Sequence, residues 1–120
     1  MKPARPITLA DLKRRLRRFA AERDWEKYHS PKNLASALIV EAAELLERFQ
    51  WLTEDESKSL PSAELAKVRE ELADVLIYLV RLADQLEIDL LEAAREKMEK
   101  NARKYPAEKA RGNSRKYSVL

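Results

Sequence analysis

The sequence predicts an all-α fold, a bundle of four helices that assembles as an oligomer, and three observations carry that prediction. Apolar residues recur at helical spacing through two long stretches, 31–52 and 63–86. The 120 residues include a single glycine, so the turn chemistry of a β-rich fold is scarce. Helix start and stop signals (Thr8 with Asp11, Ser30 with Pro31, Asp89 with Glu92, and Pro106) fall at the edges of periodic segments. A chain of this length is expected to form one domain, 1–120, whose modest core would be enlarged by association between copies.

An extended lead-in, 1–7, holds Pro3 and Pro6. The first helix then starts at a capping box of Thr8 and Asp11 and runs to about Arg23, with Leu9, Leu12, Leu16, Phe19 and Ala20 on a narrow apolar stripe. Lys13, Arg14, Arg15, Arg17 and Arg18 fill its other faces and read as a solvated surface. The connector 24–30, DWEKYHS, brings Trp25, Tyr28 and the only histidine, His29. Tyr28 is expected to plug the edge of the core; Trp25 reads equally as plug or lid, and His29 as a loop residue without chemistry. Ser30 and Pro31 open the second helix, which continues to about Trp51. A polar, acidic loop, 52–62, leads to the third helix, 63–86, with Leu65, Leu72, Val75, Leu76, Leu79 and Ala83 as its core stripe. The fourth helix begins at Asp89 and continues to about Tyr105, where Pro106 stops it, and a basic tail, 107–120, follows with Gly112 and Tyr117.

Composition narrows the function classes. Without cysteine there is neither a disulfide framework nor a thiolate metal site. No apolar run reaches the roughly 18 residues of a membrane span, and the first residues lack the apolar core of a signal peptide, so a cytoplasmic protein is expected. The net charge of +3 conceals a segregation: nine Lys/Arg against four acids in 1–28, six against fourteen in 29–94, and nine against three in 95–120. Such basic ends would suit nucleic acid, or arms that engage a phosphorylated ligand around an acidic centre.

The acidic centre has structure of its own. On the second helix, Leu34, Leu38, Leu45, Phe49 and Leu52 form one stripe; Glu41 falls inside it and Glu44 on its shoulder. On the third, Glu71 lies at the margin of the core stripe, with Asp74 and Tyr78 just outside. Carboxylates on apolar faces need a counter-charge or a proton, and a buried ion pair with Arg48 or Arg81 would stabilise weakly at best. Glu47, Glu70 and Asp84 read as solvating residues. If the two helices pack antiparallel, Glu41, Glu44, Glu71 and Asp74 converge, and an all-oxygen ligand set selects magnesium or manganese over zinc.

The pattern E-x-x-E, twenty-six residues, E-x-x-D resembles the MazG-type all-α nucleoside triphosphate pyrophosphohydrolases. The likeness extends through FAAERDWEKYHSPKNLA, EAAELLERFQW, EELADVLIYLVRLA, KMEKNARKYP and SRKY, and is strongest to the small branch similar to dCTP pyrophosphatase. It implies a helical bundle assembling as a tetramer, a magnesium requirement, and cleavage of a nucleoside triphosphate, dCTP or a modified deoxycytidine triphosphate, to the monophosphate and pyrophosphate. It also implies metal ligation by Glu41, Glu44, Glu71 and Asp74, with Glu41 or Glu44 orienting or deprotonating the attacking water. Trp25 and Trp51 resemble base-contacting tryptophans, Tyr78 and Asn101 fall on nucleotide-associated positions, and Lys97 and Lys104 resemble phosphate-side cations. The chain departs from some relatives at Leu16, where they carry histidine, and at Ala43, where they carry glycine. The competing class is a binding module that engages nucleic acid or a protein through its basic ends. A DNA binder needs a basic reading helix and has no use for inward acids, so the placement of Glu41 and Glu71 favours the enzyme.

Overall fold

The computed structural model describes residues 5–116 and 118, and among these the regular structure is entirely helical. The start of the lead-in, with Pro3, and Tyr117 of the tail lie outside the described residues. The chain divides into two compact units, Met1–Glu87 and Ile88–Leu120.

The first unit contains α1 (Leu9–Glu22), a 3-10 turn (Glu26–Tyr28), α2 (Pro31–Glu47), the single-turn α3 (Glu54–Ser57) and α4 (Ser62–Gln85). Each of the first three α-helices is opened by a side chain that satisfies backbone N–H groups otherwise left without partners. Thr8 Oγ1 accepts the Asp11 N–H at 3.0 Å while Asp11 accepts the Thr8 N–H at 3.0 Å. Ser30 Oγ accepts the Asn33 N–H at 3.2 Å, with Pro31 following as the first helical residue. Thr53 and Glu56 repeat the reciprocal box at 3.1 and 2.8 Å, which turns part of the expected 52–62 loop into α3.

Helix α1 closes in a Schellman turn: the Trp25 N–H donates to the Ala20 carbonyl at 2.9 Å and the Asp24 N–H to Ala21 at 3.1 Å. Asp24 takes the left-handed conformation that this closure needs, with φ 53°. Glu87 does the same just past α4, at φ 55°. Helix α2 ends at Glu47, short of Trp51. The backbone there tightens to i→i−3 bonds, Phe49 to Leu46 and Leu52 to Phe49, both 2.9 Å. Trp51 consequently leaves the helix and is 86% exposed.

Helix α4 is the spine, packed along α2 and also against α1. Glu71 meets Arg48, just past the end of α2, whereas Arg81, a little under three turns later, meets His29 just before its start, so α2 and α4 run antiparallel as expected. Among the described residues the buried apolar ones are Ala20, Leu34, Val68, Val80 and Ala83. On α2 and the tightened turns after it the expected stripe holds: Leu34 is buried, and Leu38, Glu41, Leu45, Phe49 and Leu52 are half-buried.

On α4 the expectation is corrected. Of the core stripe expected there, Val75 is half-buried and Ala83 buried as assigned, but Leu65, Leu72, Leu76 and Leu79 are exposed, while a second line, Val68, Glu71, Tyr78 and Leu82, is buried or half-buried. At 3.6 residues per turn the two lines lie about 90° apart within an apolar arc that spans more than half of the helix, and α2 covers only one of them. Sequence patterning also marks Leu38, Ile39, Leu46, Ile77 and Leu82 as more apolar surface than one copy covers; of these, Ile39 and Leu46 are exposed, and Leu38, Ile77 and Leu82 are half-buried.

The second unit holds α5 (Leu90–Lys104) and α6 (Ala107–Ala110). Asp89 caps α5 by accepting the Glu92 N–H at 3.0 Å, but the Glu92 carboxylate turns to Arg95 instead of returning to Asp89. Pro106 separates α5 from α6, so the first residues of the expected tail form a helical turn, and Gly112 follows at φ 79°.

Candidate metal centre

Because α2 and α4 are antiparallel and joined along one face, carboxylates from the middle of each helix face one another. One oxygen each from Glu41, Glu44 and Glu71 lies within 4.8 Å of the others. Glu41 and Glu71 are half-buried. Among the described residues, Glu41 Oε2 and Glu71 Oε2 are buried side-chain oxygens without a hydrogen-bond partner. Asp74 lies outside the close trio, near enough to add its negative charge to the fields at Glu41 and Glu71.

The electrostatics follow from that crowding. Burial pushes the Glu41 carboxyl up to about 7, reinforced by a hydrogen bond with Glu44 and by the charges of Glu44, Asp74 and Glu71. Glu71 is raised by burial first and then by Glu44, and Arg48, 3.7 Å from its Oε1, partly offsets this. One guanidinium at that distance does not balance the acids around it.

The donor chemistry fits a hard divalent cation. All donors are oxygens, the trio can close on one ion, and the two unbonded buried oxygens are groups whose desolvation is otherwise uncompensated. Arg48, named from sequence as a counter-charge for Glu41, sits with Glu71 instead, and Arg81 is engaged elsewhere.

The remaining nucleotide-site candidates are distributed. Tyr78 is half-buried on α4, one helical turn after Asp74. Trp25 and Trp51 stand at opposite ends of α2, whose 17 residues span about 25 Å. Lys97, Asn101 and Lys104 recur at helical spacing along α5 in the second unit.

The sequence matches the MazG-like family model over residues 37–120. The chain belongs to the MazG-like family. Human dCTP pyrophosphatase 1 is 50% identical over 115 residues, covering 94% of this chain and 68% of the human protein. Its mouse counterpart is 47% identical over the same shares. A crystal structure of a pyrophosphatase from Archaeoglobus fulgidus superposes with a TM-score of 0.79 at 47% identity, covering 88% of this chain and 99% of that one. This MazG-like chain is accordingly a hydrolase of the pyrophosphohydrolase type.

In the MazG-like chain three residues depart from their sequence assignments. Tyr28 is 60% exposed and plugs nothing in this subunit. Asp84, taken for a solvating acid, has a side chain only 7% exposed and is gripped by Arg17 and Arg81. His29, read as idle, accepts a hydrogen bond from Arg81 Nε at its Nδ1, 3.2 Å away. The signal was an arginine set in the apolar run I-Y-L-V-R-L, which has to find partners if it is buried.

No helix among the described residues is long and apolar enough to cross a bilayer.

Proposed function

We propose that this MazG-like hydrolase cleaves a nucleoside triphosphate, with dCTP or a modified deoxycytidine triphosphate as the preferred substrate, to the monophosphate and pyrophosphate in a magnesium-dependent reaction. The observation that carries the reading is the trio Glu41, Glu44 and Glu71 with its two buried, unbonded oxygens. The names of the relatives support the choice of dCTP. Glu41, Glu44, Glu71 and Asp74 would hold magnesium, or manganese in its place. Bound there, the ion supplies positive charge beside the triphosphate and makes a water more acidic.

The chain's own residues supply the rest. Glu41 or Glu44 orients the attacking water or takes its proton, as the oxygen bonds to phosphorus and pyrophosphate departs. Trp25 and Trp51 stack on the base, Tyr78 and Asn101 contact the nucleotide, and Lys97 and Lys104 face its phosphates. Since one α2 helix separates the tryptophans, a single base meets both only where two copies adjoin. The exposed line Leu65, Leu72, Leu76 and Leu79, with Ile39 and Leu46, supplies the apolar surface for such an assembly, which we take to be a tetramer of single-domain, four-helix subunits. The nucleotide pool it would cleanse places it in the cytoplasm.

The test is release of pyrophosphate from a panel of nucleoside triphosphates with magnesium. dCTP should lead the panel, and Glu41→Gln or Glu71→Gln should abolish turnover with the helical circular-dichroism signal intact. Wild-type turnover by either variant would overturn the metal site.

A further inference from the structure

Arg81 is the most deeply buried charge among the described residues that the proposed reaction leaves without a task. It is 4% exposed, and a guanidinium cannot shed its charge to suit a dry site, so its surroundings have to satisfy it. Its Nε donates to His29 Nδ1 at 3.2 Å and its Nη1 to Asp84 Oδ2 at 3.4 Å. Asp84 is held from the other side by Arg17, whose Nε donates to Oδ2 at 2.6 Å. Those hydrogen bonds from Arg17 hold the Asp84 carboxyl below its usual range, so it stays charged beneath Arg81. The network ties α1, the connector before α2, and α4 to one another.

The connector end of this network has a geometric consequence. Because His29 accepts at Nδ1, its neutral ring carries the proton on Nε2, and the ring plane is set by Arg81. Burial, with the charge of Arg81, pushes the His29 pKa down, which keeps the ring in that accepting form. The His29 ring lies 6.3 Å from the Trp25 ring at 59°. Phe19 meets Trp25 edge-on at 5.6 Å and is itself covered by Arg23, 3.5 Å above its centre. Trp25 is thus held between two supported rings, and yet it remains 43% exposed.

We propose that Arg81 is a positioning residue for nucleobase binding: through its bond to His29 it fixes the orientation in which the Trp25 ring meets the base. The proposal rests on the reading of Trp25 as a base-stacking wall. A ring already locked in place gives up little freedom when a base stacks on it, so the benefit appears in binding and not in the bond-breaking step.

A purely structural network would change stability and leave Trp25 and substrate affinity alone, which sets the test. In a Trp51→Phe background, metal-free and without nucleotide, acrylamide quenching reports Trp25 by itself. Arg81→Met, which keeps an apolar stem, and His29→Phe, which keeps a ring without an acceptor, should each raise the quenching constant about twofold, and the double variant should go no further because both break one link. With Trp51 restored, each should raise KM for dCTP by roughly three- to tenfold, a fraction of a base-stacking contribution, with kcat within about twofold. Unchanged quenching, or KM effects that multiply in the double variant, would overturn the proposal. Should Arg81→Met fail to fold, His29→Phe carries the same decision from a half-buried connector position. Wild-type protein inert toward every triphosphate would defeat the pyrophosphohydrolase reading, whereas the quenching arm answers independently whether Arg81 governs Trp25.

Discussion

Replacing Glu41 by glutamine should stabilise the metal-free protein at neutral and alkaline pH while it destroys the activity. The side chain keeps its size and loses a charge that shares a 4.8 Å neighbourhood with Glu44 and Glu71. Raising the carboxyl from 4.5 to about 7 corresponds to roughly 3 kcal/mol against the ionised form, at about 1.4 kcal/mol per pH unit. Glu41 keeps part of its surface in water, which screens the repulsion, so about 1–2 kcal/mol is the expected gain. For a domain of this size that is a rise in Tm of roughly 3–8 °C. The sign follows from proton linkage: an acid whose folded pKa is raised binds protons more tightly when folded, so wild-type stability falls as pH rises from 4.5 to about 7 and then levels. The assay is thermal melting of wild type and Glu41→Gln in EDTA at pH 8 and again near pH 4. The glutamine variant should lead at pH 8 and lose its lead near pH 4. Magnesium should raise the wild-type Tm by mass action and move the variant much less. A variant less stable than wild type at pH 8 without metal would refute the reasoning, because Glu41 would then be a structural partner and not a ligand held in waiting.

Other outcomes are expected on the same grounds. Asp11→Asn should lower Tm at pH 7, and the deficit should close as pH falls from about 4 towards 2, because hydrogen bonds from Thr8 hold the Asp11 carboxyl down at about 2 in the folded chain. Thr8→Ala, removing the other half of that capping box, should cost about 1 kcal/mol in chemical denaturation. Glu87→Gly should gain roughly 0.5–1 kcal/mol, since a glycine takes the positive φ of that position without penalty; a melting curve at or below wild type would reject it. Leu76→Glu should dissociate the proposed tetramer to a species of about 14 kDa by light scattering; an unchanged mass would show that α4 associates by another face. Trp51→Ala should raise KM similarly for every triphosphate, whereas Asn101→Ala, if Asn101 reads the base edge, should compress the kcat/KM ratios among dCTP, dTTP, dATP and dGTP.

Helix α2 was legible in the sequence because it buries one stripe only, so a carboxylate inside the stripe stood out against Leu34, Leu38 and Leu45. Its antiparallel neighbour was legible as a helix and not as a face. Where the apolar arc is wider than one neighbour can cover, periodicity cannot say which line meets α2, and Leu72 and Leu76 were assigned inward on that account. The capping pattern of Thr53 and Glu56 was in plain view within an acidic loop and outweighed by its composition. Arg81 and Asp84, three residues apart on α4, could be paired from sequence, but their other partners were beyond reach, since His29 lies 52 residues from Arg81 and Arg17 lies 67 from Asp84. Pairings across such separations are set by how α1 and the connector fold back on α4, which no local pattern encodes.

The open leucine line on α4 bears on how the protein lives at low abundance. Under the assembly proposed above, those side chains leave water only when another copy arrives, so part of each subunit's folding free energy is supplied by its neighbours. Tm should then climb with protein concentration, and specific activity should fall on dilution if the tryptophan walls belong to different copies. A cell making too few chains would hold a pool of half-dressed subunits, sticky and idle, and the enzyme would switch on steeply once expression passes the association threshold. Under that assembly, dosage itself would become a control on the reaction.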